Sequence, residues 1–311
     1  MINLSAATVL LQWSVGGLLF LWVTTRHREV GLGYGWLLRS VYLVLAVGAL
    51  AAGRADQPSA WRDVLAGLVA LSTASALVVS VVRRRAGVVG QHRDRERRAA
   101  RVAAMTGADP TGAGPIGTDL IGTGPTGAGL IGADPIGGGV DRSAPAREFS
   151  PALDLLAPAI GVVALVAAAI ADGGPHVLAV ARTLIGAAFL GSVTDAMLLG
   201  HWYLVQPGLG RGRLNELVRC TTIVWPFEVA ALLWPTGMTS VLSGRINDGY
   251  GGLLGWFWVA CAITTVGLCL VTRAALKERY YSEVMSATGL LYLAILTAFG
   301  TDLVARAVLA R

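Results

Sequence analysis

The chain has 311 residues, 54% of them hydrophobic and only 14% charged, with a formal net charge of +6. Soluble domains keep about a quarter of their residues charged, and here the apolar residues run in long blocks rather than at amphipathic spacing. That balance excludes an ordinary soluble globular domain and points to a protein that crosses a bilayer several times.

A first apolar span covers 2–23. It lacks the basic start and the small-residue cleavage site of a secretory signal, so it reads as a retained helix. Arg26, His27 and Arg28 follow it directly. The second span, 33–52, carries Arg39 a turn or two inside its start. A short polar loop leads to the third, 64–82, which stops at Arg83-Arg84-Arg85. Arginines cluster after the first and third spans, again at Arg211, Arg213 and Arg219, and with Lys277 at Arg273 and Arg279. The positive-inside rule puts these loops in the cytoplasm and both termini outside. Lys277 is the single lysine, and this arginine bias with abundant Ala, Gly and Val suggests a GC-rich bacterial source.

Residues 83–150 break the pattern. The first part is mixed but net basic and suits a surface of anionic lipid headgroups, each basic group contributing about 1 kcal/mol. His92-Arg93-Asp94 imitates a kinase catalytic loop, but the required Asn and any Gly-rich ATP loop are missing. A five-residue repeat then runs from 106 to 140, in the frame ADPTG AGPIG TDLIG. It resembles the A-D-L-x-x pentapeptide repeat, a resemblance that covers this stretch alone and implies coils of a four-sided β-helix with the central Leu inward. Pro110, Pro115, Pro125 and Pro135 occupy that central position, and only Leu120 and Leu130 keep the pattern. So few copies bury no core, and the Gly and Pro content makes ordering costly. The stretch is therefore expected to be a disordered cytoplasmic linker.

Apolar spans resume at 153–171, with Pro158 in its first turns, and continue at 176–205, 217–234, 253–272 and 284–309. The expected fold is all-α, a polytopic transmembrane bundle of eight helices. Segment 1–82 holds three of them, 83–150 the basic stretch and linker, and 151–311 the other five. Trp61, Trp234, Tyr250 and Trp256 fit an outer aromatic belt, and Trp22, Tyr34, Trp202, Tyr203, Tyr280 and Tyr281 an inner one.

The span 176–205 organises the rest. Ala187 and Gly191, one turn apart, lead onto Asp195 and offer a narrow face to a neighbouring helix. Asp195 and Glu228 are the acids deepest in the membrane, on helices adjacent in sequence and hence antiparallel neighbours. An acid in hydrocarbon costs about 3 kcal/mol unless it faces protein or water. The pair reads either as a relay for a proton, cation or substrate, or as packing locked by Arg and hydroxyl partners, with Ser192 and Thr194 close to Asp195. Asp302 and Arg306 lie one turn apart and should pair, with Arg182 at similar depth. At the inner interface the candidates are His201, Trp202, Tyr203 and Arg39. His201 suits an anchor or a quinone hydrogen bond better than haem, because no second His lies within a span. Gly208, Gly210 and Gly212 with Arg211 and Arg213 follow a membrane helix, so they read as a turn rather than a dinucleotide fingerprint. Cys220, Cys261 and Cys269 lack C-x-x-C spacing and read as buried structural thiols. No metal site, no catalytic motif and no nucleic-acid partner is indicated; partner membrane subunits are compatible with the chain.

Three readings follow. The first is a non-ATP-driven bacterial cytoplasmic-membrane protein moving a proton, cation or small substrate through the acids of the fifth and sixth helices. The second is the membrane anchor of a quinone-linked redox complex, and the third a scaffold or assembly protein with no site.

Overall fold

A computed structural model describes residues 5–27, 29–56, 58–83, 149–171, 176–206, 209–234, 237–278 and 281–310. These residues form nine helices: α1 (Ala6–Thr25), α2 (Leu32–Asp56), α3 (Ala60–Val82), α4 (Leu153–Ala171), α5 (His176–Val205), α6 (Gly212–Leu233), the single-turn α7 (Met238–Leu242), α8 (Leu253–Ala275) and α9 (Tyr281–Leu309). Helix is the solution that apolar surroundings impose, because each backbone N–H and C=O must find its partner within the segment. Seven of them, α1 to α5 with α8 and α9, are long and apolar enough to cross a membrane. α6 has the length, but Arg213, Glu216, Arg219 and Glu228 dilute its apolar character. The expected all-α bundle is present, with α6 as the polar member of the eight long helices. The basic stretch and the pentapeptide-like repeats, residues 84–148, lie outside the described residues.

The repeat tract divides the sequence after the third helix, but α4 packs with the helices before it. α1 packs on α2, α2 on α3, α3 on α4 and α4 back on α1, which closes a ring of four. A second ring runs α5, α6, α8, α9 and back to α5. Each long helix is antiparallel to the next, so α1 and α5 run in the same direction. The bundle thus has a terminal end, where α1 begins and α9 finishes, and an arginine-rich end, where α1 hands over to α2 and α5 to α6.

α1 joins the rings by packing against α5. A Cβ on Gly16 would sit 1.8 Å from the Ala187 carbonyl oxygen, and one on Gly191 would sit 2.2 Å from the Gly16 carbonyl carbon. The two backbones touch there, which is the close approach expected from the small face of α5. Around this crossing Leu11, Leu21, Leu38, Tyr42, Leu165 and Leu199 are buried in one apolar cluster.

At the terminal end Asp248 shapes the turn into α8. Its carboxylate accepts the N–H groups of Tyr250, Gly252 and Leu254 at 2.9, 2.8 and 2.9 Å, and these bonds hold it below the usual carboxylate range. Gly252, with φ of 89°, occupies the left-handed region that a side chain would resist.

Of the aromatic residues expected at the outer belt, Trp61, Trp234, Tyr250 and Trp256 are all largely exposed at the terminal end. The inner belt differs: Tyr34 and Tyr203 are buried. Tyr34 lies with its ring 5.8 Å from that of Trp202, and the Tyr203 hydroxyl donates to the Gly210 carbonyl at 2.6 Å. Tyr34 thus packs α2 against α5, and Tyr203 ties α5 to the loop that follows it. Tyr280 lies outside the described residues, as do the side chain of Tyr281 and residue Gly208 of the glycine-rich turn.

Candidate functional site: two buried polar clusters

The candidate residues fall into separate groups. Near the terminal end, Arg306 on α9 donates from Nε to both carboxylate oxygens of Asp302, at 2.9 and 2.8 Å. This is the one-turn pair that their spacing implies. Glu228 of α6 is within electrostatic reach of Asp302, Arg306 and Arg182. It is fully buried, its carboxyl lies at hydrogen-bonding range of the Asp302 carboxyl, and neither of its oxygens accepts from an arginine. Arg182 turns instead to the end of α6, donating to the carbonyls of Ala231 at 2.7 Å and Trp234 at 3.1 Å. Room for the cluster comes from Gly186: a Cβ there would lie 2.8 Å from Gln12 Nε2 and 3.1 Å from both Arg306 and Asp302. Gln12 of α1 completes the group, donating to the Thr183 carbonyl at 2.8 Å.

Asp195 stands apart. Gly186 and Asp195 are nine residues apart on α5, about 13 Å along the axis, so the two deepest acids belong to different clusters although their helices are neighbours. Asp195 is completely buried. The Tyr42 hydroxyl of α2 donates to its Oδ1, and Oδ2 has no donor. Ser192 and Thr194 are not its partners, because they donate to the Phe189 and Leu190 carbonyls. Thr194 also accepts the Trp13 indole at 3.0 Å. Tyr34, one of the largest buried side chains, has its hydroxyl beside that of Thr24.

A third polar group, at the arginine-rich end, was only half visible in the sequence. Arg39 and Asp154 form a two-pronged ion pair, Nε to Oδ1 and Nη2 to Oδ2, both at 2.7 Å. Thr25 donates to Asp154 Oδ2 at 3.1 Å and Arg39 Nη1 to Ser80 at 3.3 Å. The Phe149 ring lies 4.5 Å from the guanidinium carbon, a cation–π contact. α3, α4 and the re-entering chain meet on this arginine of α2, and α1 joins through the Thr25–Asp154 bond. Arg39 is thus a buried, ion-paired cation near the arginine-rich end. Asp154 drew no notice in the sequence, since an acid at the start of a helix reads as a favourable end charge.

At the surface of the same end, Arg213 holds Glu29 through two bonds of 2.9 Å and Glu216 through one of 2.8 Å, and Arg26 pairs with Glu216. The Arg213 guanidinium keeps the Glu29 carboxyl below its ordinary range. His201 is exposed, its Nδ1 3.2 Å from the Tyr292 hydroxyl. His27 pairs with Arg26 Nε at 3.0 Å, so the two imidazoles have separate partners. Trp202 donates to Gln206 at 2.9 Å. Among the described residues no cluster of three or more His, Cys, Asp or Glu is arranged to hold a metal ion.

No family profile matches the chain, and no curated protein or solved structure matches it either.

Proposed function

We propose that this is a bacterial cytoplasmic-membrane protein, arginine-rich end inside, that moves a proton, a cation or a small substrate using Asp195 and Glu228. One contrast carries the reading. Of the other buried acids among the described residues, Asp63, Asp154 and Asp302 are paired with arginine and Asp248 accepts backbone N–H groups. Asp195 and Glu228 are equally buried, and neither accepts a hydrogen bond from an arginine. Leaving such a group unpaired costs roughly 1–3 kcal/mol, more if it is charged, and packing alone gives no reason to retain two of them. Intramembrane acids of this kind suit proton and cation handling. The quinone-site alternative has less behind it, because Trp202 already bonds Gln206 and lies beside Tyr34. The orientation rests on the arginine distribution.

The test is reconstitution into liposomes loaded with a pH-sensitive dye, under imposed proton, sodium or potassium gradients. Wild-type protein is expected to produce ion-dependent proton flux that falls at least about tenfold in Asp195→Asn and Glu228→Gln. Flux equal to that of protein-free liposomes, or unchanged flux in both variants, would overturn the proposal.

A further inference from the structure

The cluster at the terminal end gathers side chains of four helices against one face of α5. Arg182 and Gly186 lie one turn apart on that face. At Gly186 the position of a Cβ is 2.8 Å from Gln12 Nε2 of α1 and 3.1 Å from both Asp302 Oδ1 and Arg306 Nη2 of α9. Arg182 reaches the Ala231 carbonyl of α6 at 2.7 Å. Glu228 stands three residues before Ala231 and shares its side of α6, with its carboxyl at hydrogen-bonding range of the Asp302 carboxyl. Gln12, Glu228 and Asp302 are all completely buried.

The polar groups here are unequally matched. Asp302 uses both oxygens on Arg306 Nε, at 2.9 and 2.8 Å, a charge-assisted pairing that favours its anion. Gln12 gives its amide N–H to the Thr183 carbonyl, and its Oε1 accepts from none of the side chains around it. Neither Glu228 oxygen accepts from an arginine. Acceptors therefore outnumber donors, and two carboxyls stand within bonding range. Such a pair does not ionise fully unless a proton or a cation comes between its members. A metal cation fits badly, because hard cations take about six oxygen ligands. With Asp302 held by Arg306, only the Glu228 carboxyl and the Gln12 amide oxygen remain to offer, beside two guanidiniums. A proton needs only the two carboxyls and supplies the missing donor.

We infer that Glu228 and Asp302 share one proton, carried by Glu228 and donated to the Asp302 carboxylate, and that the ion handled at this end of the bundle is that proton and not a metal cation. This rests on the role proposed for Glu228 and names its substrate. Arg306 is a positioning residue, keeping Asp302 ionised and facing its partner. The charges admit both states. With the proton in place, two guanidiniums face one carboxylate; once it has left, two face two. Release breaks the Glu228 O–H bond, leaves the electron pair on the carboxylate and passes the proton to water.

Infrared difference spectroscopy of the detergent-purified protein tests this without requiring flux. A protonated-carboxyl band is expected in wild type that is lost in Glu228→Gln. In Asp302→Asn, or in Asp302→Glu should the first not fold, the band should move in frequency because its acceptor has changed. In wild type it should stay unchanged when sodium or potassium replaces choline at fixed pH and ionic strength. Survival of every protonated-carboxyl band in Glu228→Gln, an unmoved band in the folded Asp302 variant, or a band displaced by sodium or potassium would each overturn the shared proton. Liposome flux that is lost in Glu228→Gln, together with a band displaced by sodium, would leave the transport proposal standing and make its ion a metal cation. The expected band behaviour without flux in any preparation would remove transport and support the shared proton.

Discussion

The contact between α1 and α5 at Gly16 and Gly191 joins the two rings alongside the packing of α4 on α5, and a single methyl should disrupt it. In Gly16→Ala the new Cβ would sit 1.8 Å from the Ala187 carbonyl oxygen and 2.7 Å from its carbon. Both are backbone atoms that cannot rotate aside. Ordinary contact needs more than 3 Å, so the helices must part by well over 1 Å. Three bonds cross near this seam: Gln12 to Thr183, Trp13 to Thr194 and Tyr42 to Asp195. Each is worth roughly 0.6 kcal/mol within a membrane protein, and overpacking adds about 1–3 kcal/mol. The expected loss is about 3–5 kcal/mol, set against a gain of at most about 1 kcal/mol in helix propensity from Ala. Gly67→Ala on α3 is the control, since its Cβ would meet nothing nearer than 4.0 Å. Reversible unfolding in mixed micelles, titrated with SDS, should show a much earlier midpoint for Gly16→Ala and a midpoint at or slightly above wild type for Gly67→Ala. Equal midpoints for the two variants would refute the close crossing.

Other predictions follow from the polar groups. Asp154→Asn leaves Arg39 buried without its anion, and breaking one side of such a pair typically costs about 3–5 kcal/mol; the same titration should show it, and Asp154→Leu with Arg39→Leu should lose less than the single change. Asp248→Ala removes three backbone bonds from the turn into α8, and a loss of about 1–2 kcal/mol is expected by analogy with helix caps, read by faster amide exchange at Tyr250, Gly252 and Leu254. Glu29 is held below its unfolded value of about 4.5 by Arg213, so its stabilising contribution is present above that pH and disappears as pH falls through the lower folded value. The effect is small because the Glu29 side chain is 38% exposed and solvent screens it; Glu29→Gln should flatten the acid limb of a thermal-melting profile against pH, and an unchanged limb would count against the bridge.

Much of the fold was legible because long apolar runs admit few alternatives: the spans at 2–23, 33–52, 64–82 and 153–171 each match a helix to within a few residues. The Asp302–Arg306 pair was also legible, since both residues lie on one helix at fixed spacing. Partners across helices were not. Arg39 plainly needed an anion, but Asp154 is distant in sequence, and only depth could have singled it out: both residues lie within two turns of the same end. Tyr42 could not be paired with Asp195 without knowing that α2 reaches toward α5. The tyrosines near the arginine-rich end looked like interfacial residues because composition records amphipathic rings and not whether a loop folds over them. Gln12 and Gly186 drew no notice in the sequence at all, because an amide or a glycine in an apolar run has meaning only when its neighbours are known.

The junction at Arg39 has a consequence for how this gene can vary. The chain departs just after Ser80 and returns at Phe149, and both residues touch the same guanidinium. Because the ends of α3 and α4 and the segment at Phe149 all meet that guanidinium, a change at Arg39 should loosen them together, so strains should keep the arginine and its aspartate or lose both.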